Sequence, residues 1–502
     1  MILRLDQVHT GAPPPWYGLD VDRWALSLDA TDGPMFLRIA RAIARDIGRG
    51  RLKPGAPLPG SRTFAATLGV HRNTVLAAYR ELEAEGYTET LPARETRVRT
   101  ELPERAPRRA RRAPTLDPDR HAFPLNRPPF DVVSPPPPNA AIALLGGLPD
   151  LRLLPTTALA RAYRRAVTRR TPSLFGYGDP RGEEVLRRAL AVTLSRARGL
   201  AIDGDDVLVT RGSQMALFLA ARTLVAPGEV VLVEGLGYRP AWEALRAAGA
   251  KLEPIVVDRG GIDVSAVRER CERGGVRAIY VTPHHQYPTT VLLSSARRLE
   301  LLAIAREHQV AILEDDYDHE FHYEGRPVLP LKSADEAGSV VYLGSFSKVL
   351  APALRVGFLV APRPLLTRAA AHRAIVDRQG DRLLEHALAD LMEEGELLRH
   401  ARRMRRLYQV RRGALVGALT AHLGDHLSFE LPVGGMALWA HARGVDVDAW
   451  AARCGARGVV LQTARRFTFD AKRRPYLRLG FAAEPEARIQ RAVEIMAACL
   501  SR

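Results

Sequence analysis

Apolar positions recur at two different spacings, and the change from one to the other divides the chain. Between Pro34 and Arg99 the spacing is helical. Ile39, Ile43 and Ile47 share one face of a first predicted helix. Gly50 and Gly55 break the pattern. A short helix is then expected from Ser61, taken as its cap, to Leu68, with Gly69 ending it. His71-Arg72-Asn73-Thr74 opens another helix, whose Val75, Tyr79 and Leu82 fall on one apolar side. Arg72, Asn73, Thr74 and Arg80 are left for the opposite side. Two short helices joined at a glycine turn, the second beginning with polar side chains, suit the major groove of DNA.

After residue 100 the periodicity stops, and proline and arginine dominate, as in Pro107-Arg108-Arg109-Ala110-Arg111-Arg112 and the four prolines at 135–138. This composition predicts an extended cationic tether. Beyond about Ala140, short β-rich runs at 207–210, 230–234, 278–282, 310–314 and 340–343 alternate with helical segments. Such alternation predicts a mainly parallel sheet covered by helices, with ligands at the carboxyl ends of its strands. From about Leu383 the chain turns helical and basic, and it ends in a mixed segment that reads as a smaller α/β subdomain. The expected divisions are an N-terminal extension at 1–33, a DNA reader at 34–100, a linker at 101–139 and an effector domain at 140–502.

Composition narrows this picture in three places. A length of 502 residues with 46% hydrophobic content supports one small and one large core. The formal net charge of +17 comes mainly from arginine and favours anionic partners, although composition alone does not locate them. Cys271, Cys454 and Cys499 fit neither a disulfide framework nor a zinc site, so a reducing cytoplasm and no metal are expected. No stretch predicts a membrane span, because the most apolar region, around 340–360, contains Lys348 and Arg355.

The polar residues at the predicted strand ends match what pyridoxal phosphate requires of a protein: an amine, a carboxylate for the ring nitrogen, an anion cradle and an aromatic ring. Lys348 is the candidate amine for a Schiff base, and Asp315 is the candidate carboxylate. Tyr317 is placed at the ring hydroxyl and Tyr238 against the ring face. Ser213 and Gln214 open a helical run after Gly212, where backbone N–H groups favour a phosphate. Ser345 and Arg355 flank the lysine and add to that cradle.

Two resemblances join these observations. Gly50-Arg51-Leu52-Lys53-Pro54-Gly55, Ser61-Arg62, Leu68-Gly69-Val70, Arg72-Asn73-Thr74-Val75 and Leu82-Glu83-Ala84-Glu85-Gly86 closely resemble the GntR-type winged helix-turn-helix. That resemblance implies DNA contacts from Arg62, Arg72 and Thr74, beside Asn73, and a wing after Tyr87. The wing tip departs from the glycine-rich pattern, with Pro92-Ala93-Arg94 in its place.

From about Leu144 onward the chain resembles fold type I aminotransferases. Tyr177, in Gly176-Tyr177-Gly178-Asp179-Pro180, matches a tyrosine that reaches the neighbouring subunit's phosphate, which implies a head-to-tail homodimer. Arg478, in Tyr476-Leu477-Arg478-Leu479-Gly480, matches an arginine that grips a substrate carboxylate. Taken alone, that arginine reads equally well as a residue at an exposed strand edge.

The segment Thr282-Pro283-His284-His285-Gln286-Tyr287-Pro288-Thr289-Thr290 lacks the asparagine of ordinary aminotransferases and resembles that of MocR/GabR-type regulators, with Thr290 where glycine is usual. Ser345 to Arg355 and the basic run Arg402-Arg403-Met404-Arg405-Arg406 match the same group, whereas Met436 departs from it. The resemblance implies a transcription regulator that binds an operator in double-stranded DNA and senses an amino compound, or pyridoxal phosphate itself, at Lys348. A working aminotransferase carrying a DNA-binding appendage is the alternative.

Overall fold

The computed structural model describes Trp24 and residues 26–28, 33–91, 95–102, 123–125, 141–169 and 172–500. It divides into two compact units, Met1–Asn126 and Arg127–Arg502.

The first unit is built on three helices: α1 (Met35–Gly48), α2 (Ser61–Leu68) and α3 (Arg72–Ala84). Ile39, Ile43 and Ile47 of α1 are buried with Phe64 of α2 and with Val75, Tyr79 and Leu82 of α3. Gly69 ends α2 at φ 63°, a left-handed turn that glycine adopts without a Cβ penalty. His71 caps α3, its Nδ1 accepting from the Asn73 N–H at 3.2 Å. Ser61 does not cap α2. Gly60 holds the cap position and Ser61 is the first helical residue, its Oγ accepting from Arg72 Nε at 3.3 Å. The strands Thr88–Thr90 and Thr96–Val98 pair antiparallel as a wing. Its tip, residues 92–94, lies outside the described residues, as do nearly all of the expected linker and most of the N-terminal extension. Trp24, from that extension, packs on the reader instead: its ring stacks on Phe64 at 5.6 Å and its indole N–H donates to Asp46 at 2.9 Å.

The second unit carries a seven-stranded sheet in the order Val207–Thr210, Gly357–Val360, Val340–Ser345, Ala311–Asp316, Val276–Val281, Val230–Glu234, Lys251–Ile255. The last five of these run parallel, and Gly357–Val360 lies antiparallel to both of its neighbours. The strands Val230–Glu234, Ala311–Asp316 and Val340–Ser345, inside the sheet, are buried along nearly their whole length, which accounts for their continuous apolar runs. The carboxyl ends of six strands therefore meet at one edge of the sheet, where Gly357 also begins the reversed strand.

Helices begin earlier than Leu383: Arg363–Val376 and Arg382–Glu393 precede the long basic helix Glu396–Leu423. A second sheet, of four strands, includes Ala437–Ala442 and Tyr476–Gly480 and forms the C-terminal subdomain. Ile142–Ala143 pairs with Val459–Val460, so the segment containing Gly146 and Gly147 is fastened to that subdomain. Several arginines serve the fold itself: Arg198 pairs with Asp316 at 3.5 Å, Arg411 with Asp150 at 3.0 Å and Arg412 with Glu324 at 2.8 Å. Part of the positive charge is thus neutralised inside the molecule. No helix among the described residues is long and apolar enough to cross a membrane.

Candidate functional site

Strand ends deliver the candidate pocket. The strand Val340–Ser345 stops at Ser345, whose Oγ accepts from the Ser347 N–H at 3.0 Å, and this turn carries Lys348 inward. Lys348 Nζ would lie 3.5 Å from a Cβ placed on Gly147, and Arg478 Nη1 would lie 3.9 Å from the same point. Both cations therefore border one space whose floor is a glycine. Burial, reinforced by Arg478, lowers the Lys348 amine to about 8, against the opposing pull of Asp318 and Asp315.

Asp315 lies within its strand, which runs two residues past the predicted end. Its Oδ2 accepts from the Tyr280 hydroxyl at 2.8 Å, while its buried Oδ1 has no partner among the described residues. Burial raises this carboxyl to about 6, partly offset by Tyr280. A buried acceptor without a donor is costly, and a protonated ring nitrogen would satisfy it. Tyr317 is partly buried, and its hydroxyl donates to the His285 carbonyl at 2.8 Å.

Arg478 is fully buried on a strand with neighbours on both sides, so the strand-edge reading is overturned. Its Nε donates to the Pro288 carbonyl at 3.3 Å, and its carbon lies 4.3 Å from the centre of the Tyr287 ring. Nη1 and Nη2 have no hydrogen-bond partner among the described residues. A buried guanidinium fork with both terminal nitrogens unpaired suits a carboxylate. Gly146 is required beside it, since a Cβ there would stand 1.9 Å from Nη1.

The anion cradle forms where Gly212, at φ 78°, caps the helix Ser213–Leu224. Arg355 donates from Nη2 to the Arg211 carbonyl at 3.0 Å, and a Cβ on Gly212 would sit 2.9 Å from that nitrogen. Ser213 and Gln214 occupy the first turn, where backbone N–H groups have no intrahelical acceptor. The Gln214 side chain is committed to the Pro240 carbonyl. Tyr238 stands at the next strand end, its ring edge-on to Tyr287 at 5.3 Å.

Tyr287, to which sequence reasoning gave no role, is the hub of this wall: its ring also meets Tyr317 at 5.9 Å and Phe467 at 5.5 Å. Its position is set by Thr282, whose Oγ accepts from the Tyr287 N–H at 2.9 Å and donates to the buried Glu234 at 2.7 Å. Thr290 takes φ 64°, a conformation unfavourable for a β-branched residue, so the departure from glycine is accommodated at a cost. Tyr177 is 78% exposed, with its ring beneath the Arg378 guanidinium and outside this cluster.

In the reader, Arg62, Arg72 and Asn73 are exposed and Thr74 is partly buried. All four belong to α2 or the first turn of α3.

Residues 147–496 match the family described as aminotransferase class I and II, and residues 36–98 match the bacterial regulatory proteins of the gntR family. The chain is 35% identical to a probable rhizopine catabolism regulatory protein, MocR, of Rhizobium meliloti, over 90% of each chain. It is 33% identical to the HTH-type transcriptional regulator TauR of Rhodobacter capsulatus, over 92% of this chain and 97% of that one. The chain belongs to the MocR-type regulators. Members join a GntR helix-turn-helix to an aminotransferase-like unit, and the chain is accordingly a DNA-binding transcription regulator. The kynurenine aminotransferase of Pyrococcus horikoshii, solved in complex with PMP, superposes with a TM-score of 0.67 at 27% identity, covering 72% of this chain and 91% of that one. The MocR-type fold thus implies dependence on pyridoxal phosphate. The unpaired Asp315 Oδ1, the lowered Lys348 amine and the Gly212–Arg355 cradle fit that group.

Proposed function

We propose that this MocR-type regulator holds pyridoxal phosphate at Lys348 and senses a small amino compound whose carboxylate docks on Arg478. When bound, the cofactor supplies an aldehyde that links reversibly to one amine and exchanges it for another. Lys348 provides the resident amine, and its lowered proton affinity keeps a large fraction neutral and nucleophilic near pH 8. Asp315 holds a proton on the ring nitrogen, oriented by Tyr280. Gly212, Ser213, Gln214, Ser345 and Arg355 hold the phosphate, and Tyr238 covers the ring. Tyr317, whose hydroxyl proton is donated to the His285 carbonyl, would accept a hydrogen bond from the ring hydroxyl. The single observation that carries the reading is the common border of Lys348 Nζ and the unpaired Arg478 fork at Gly147.

Arg62, Arg72, Asn73 and Thr74 meet a double-stranded operator. A head-to-tail homodimer, with the exposed Tyr177 completing the partner's phosphate site, presents two readers. An effector shifts DNA occupancy by binding one arrangement of those readers more tightly than another. The three free, buried cysteines support a cytoplasmic setting.

Lys348→Ala tests the cofactor assignment. The purified variant is expected to lose the visible absorption of the lysine-bound cofactor, and an undiminished band would move the linkage to another lysine. One observation favours the alternative of turnover: an amine near 8 is also suited to act as a general base. Sustained keto acid release at about 1 s⁻¹ or faster would establish that alternative, and release limited to a single equivalent would exclude it.

A further inference from the structure

Beside the pyridoxal pocket lies a nest of four imidazoles that the regulator's proposed chemistry leaves unused. His284 and His285 follow the strand Val276–Val281, and His319 and His322 follow its parallel neighbour Ala311–Asp316, so adjacent strand ends bring the two pairs together. Their exposures are 2%, 1%, 6% and 6%, respectively. The His284 ring lies 4.4 Å from His285, 4.3 Å from His319 and 5.9 Å from His322.

A buried histidine that serves only packing normally finds partners for its nitrogens. Here both nitrogens of His284, Nε2 of His285 and Nδ1 of His322 have none among the described residues. The other nitrogen of His285 is engaged: Nδ1 lies 2.8 Å from Asp318 Oδ1. A neutral ring donating Nδ1–H to that carboxylate, as behind a metal-bound histidine, leaves the Nε2 lone pair unpartnered beside Gly434, where a Cβ would stand 2.1 Å from it. One ring nitrogen from each of His284, His285 and His322 lies within 4.8 Å of the other two. Zn–N bonds of about 2.0–2.1 Å at tetrahedral angles place two nitrogens on one ion about 3.4 Å apart, so the rings need close by up to about 1.5 Å.

We propose that His284, His285 and His322 form a buried site for a divalent transition cation of the zinc class, with Asp318 as the residue that positions His285. This proposal departs from the sequence-based expectation of no metal. Three imidazole donors select zinc, nickel or copper over calcium or magnesium, which prefer oxygen. Asp318 and Asp316 supply compensating negative charge, the latter with its Oδ2 3.0 Å from His319 Nδ1. The cation would tie residues 284–285 to residue 322. Tyr317 lies between those segments in the chain and is bonded to the His285 carbonyl, so the metal would brace one wall of the effector pocket.

The test uses full-length, tag-free protein stripped with a chelator and dialysed to equilibrium against micromolar ZnCl2, with bound metal measured by mass spectrometry. One zinc per chain is expected, together with a zinc-dependent rise in Tm. His284→Gln/His322→Gln should retain less than a tenth of that zinc and lose the Tm response. Asp318→Asn should bind about 10- to 100-fold more weakly. Wild-type protein that takes up no zinc overturns the proposal, as does a folded double variant that still binds one equivalent. Should the double variant fail to fold, His322→Gln alone decides: undiminished affinity rejects the site, and affinity at least tenfold weaker supports it.

Discussion

In the reader, Arg62, Arg72 and Asn73 stand in solvent on helices whose opposite faces are packed around Ile39, Ile43, Val75 and Leu82. In the effector unit, Arg478 and Asp315 are enclosed and keep polar atoms without partners. The first arrangement costs the fold little and acts through charge that salt can screen. The second buries polar groups without a partner among the described residues, each costing about 1–3 kcal/mol, a cost that a fitting ligand would relieve. DNA binding should therefore respond to mutation in small, separable increments, and ligand binding in large ones.

Arg478→Ala should give the largest effect. It removes two aligned, charge-assisted hydrogen bonds from a buried site, so effector affinity, followed by spectral titration of the cofactor-loaded protein, should fall about 100-fold. Arg478→Lys should recover little, since an ammonium cannot present the planar fork. A loss below about threefold would place the carboxylate elsewhere and remove the contrast between the two regions.

Lys348 sharpens the same contrast through pH. Its amine is lowered from the ordinary lysine value to about 8, so below that pH it carries a proton and cannot attack, and above it the neutral form dominates. The rate at which the cofactor-free protein takes up pyridoxal phosphate should rise about tenfold from pH 7 to pH 9 and then level off. A rate still climbing steeply between pH 9 and pH 10 would mean that the enclosure does not depress the amine.

Arg72→Ala probes the exposed side. Loss of one phosphate contact should weaken operator binding by about 1 kcal/mol, roughly fivefold, and reduce the salt slope by about one. Equal affinity and slope in both proteins would take Arg72 out of the interface.

What could be read from the sequence follows the same division. Helical spacing placed Ile39, Ile43 and Ile47 together because local periodicity alone decides which side of a helix is buried. Apolar runs located the central strands for a similar reason. The strand Lys251–Ile255 was missed because its residues are mostly half-buried or exposed and include Pro254, a mark of an edge strand. The reversed strand Gly357–Val360 carries no local sign of its direction.

Lys348 and Asp315 were visible as polar residues at the ends of apolar runs. Their supports were not, because Tyr280 reaches Asp315 across neighbouring strands and Gly146 approaches Arg478 from more than 300 positions away in the chain. The alternation that puts Tyr280, Leu313 and Asp315 on one face of the sheet was the available signal. The histidine nest is hidden by the same distance: nothing local in the sequence joins His284 and His285 to His319 and His322.

The smallest expected effect concerns Ser61, where local sequence reading failed. A serine cap replaced by alanine costs about 1 kcal/mol, because a backbone N–H at the helix start loses its acceptor. Here Gly60 holds the cap position, and among the described residues Ser61 Oγ meets only the exposed Arg72 Nε at 3.3 Å. Ser61→Ala should therefore change reader stability by less than about 0.5 kcal/mol in urea denaturation. It should alter DNA affinity only through the freedom it gives Arg72, so the double variant Ser61→Ala/Arg72→Ala should bind DNA no differently from Arg72→Ala alone. A stability loss near 1 kcal/mol would restore Ser61 as the cap, and a further drop in affinity in the double variant would give its hydroxyl a DNA contact of its own.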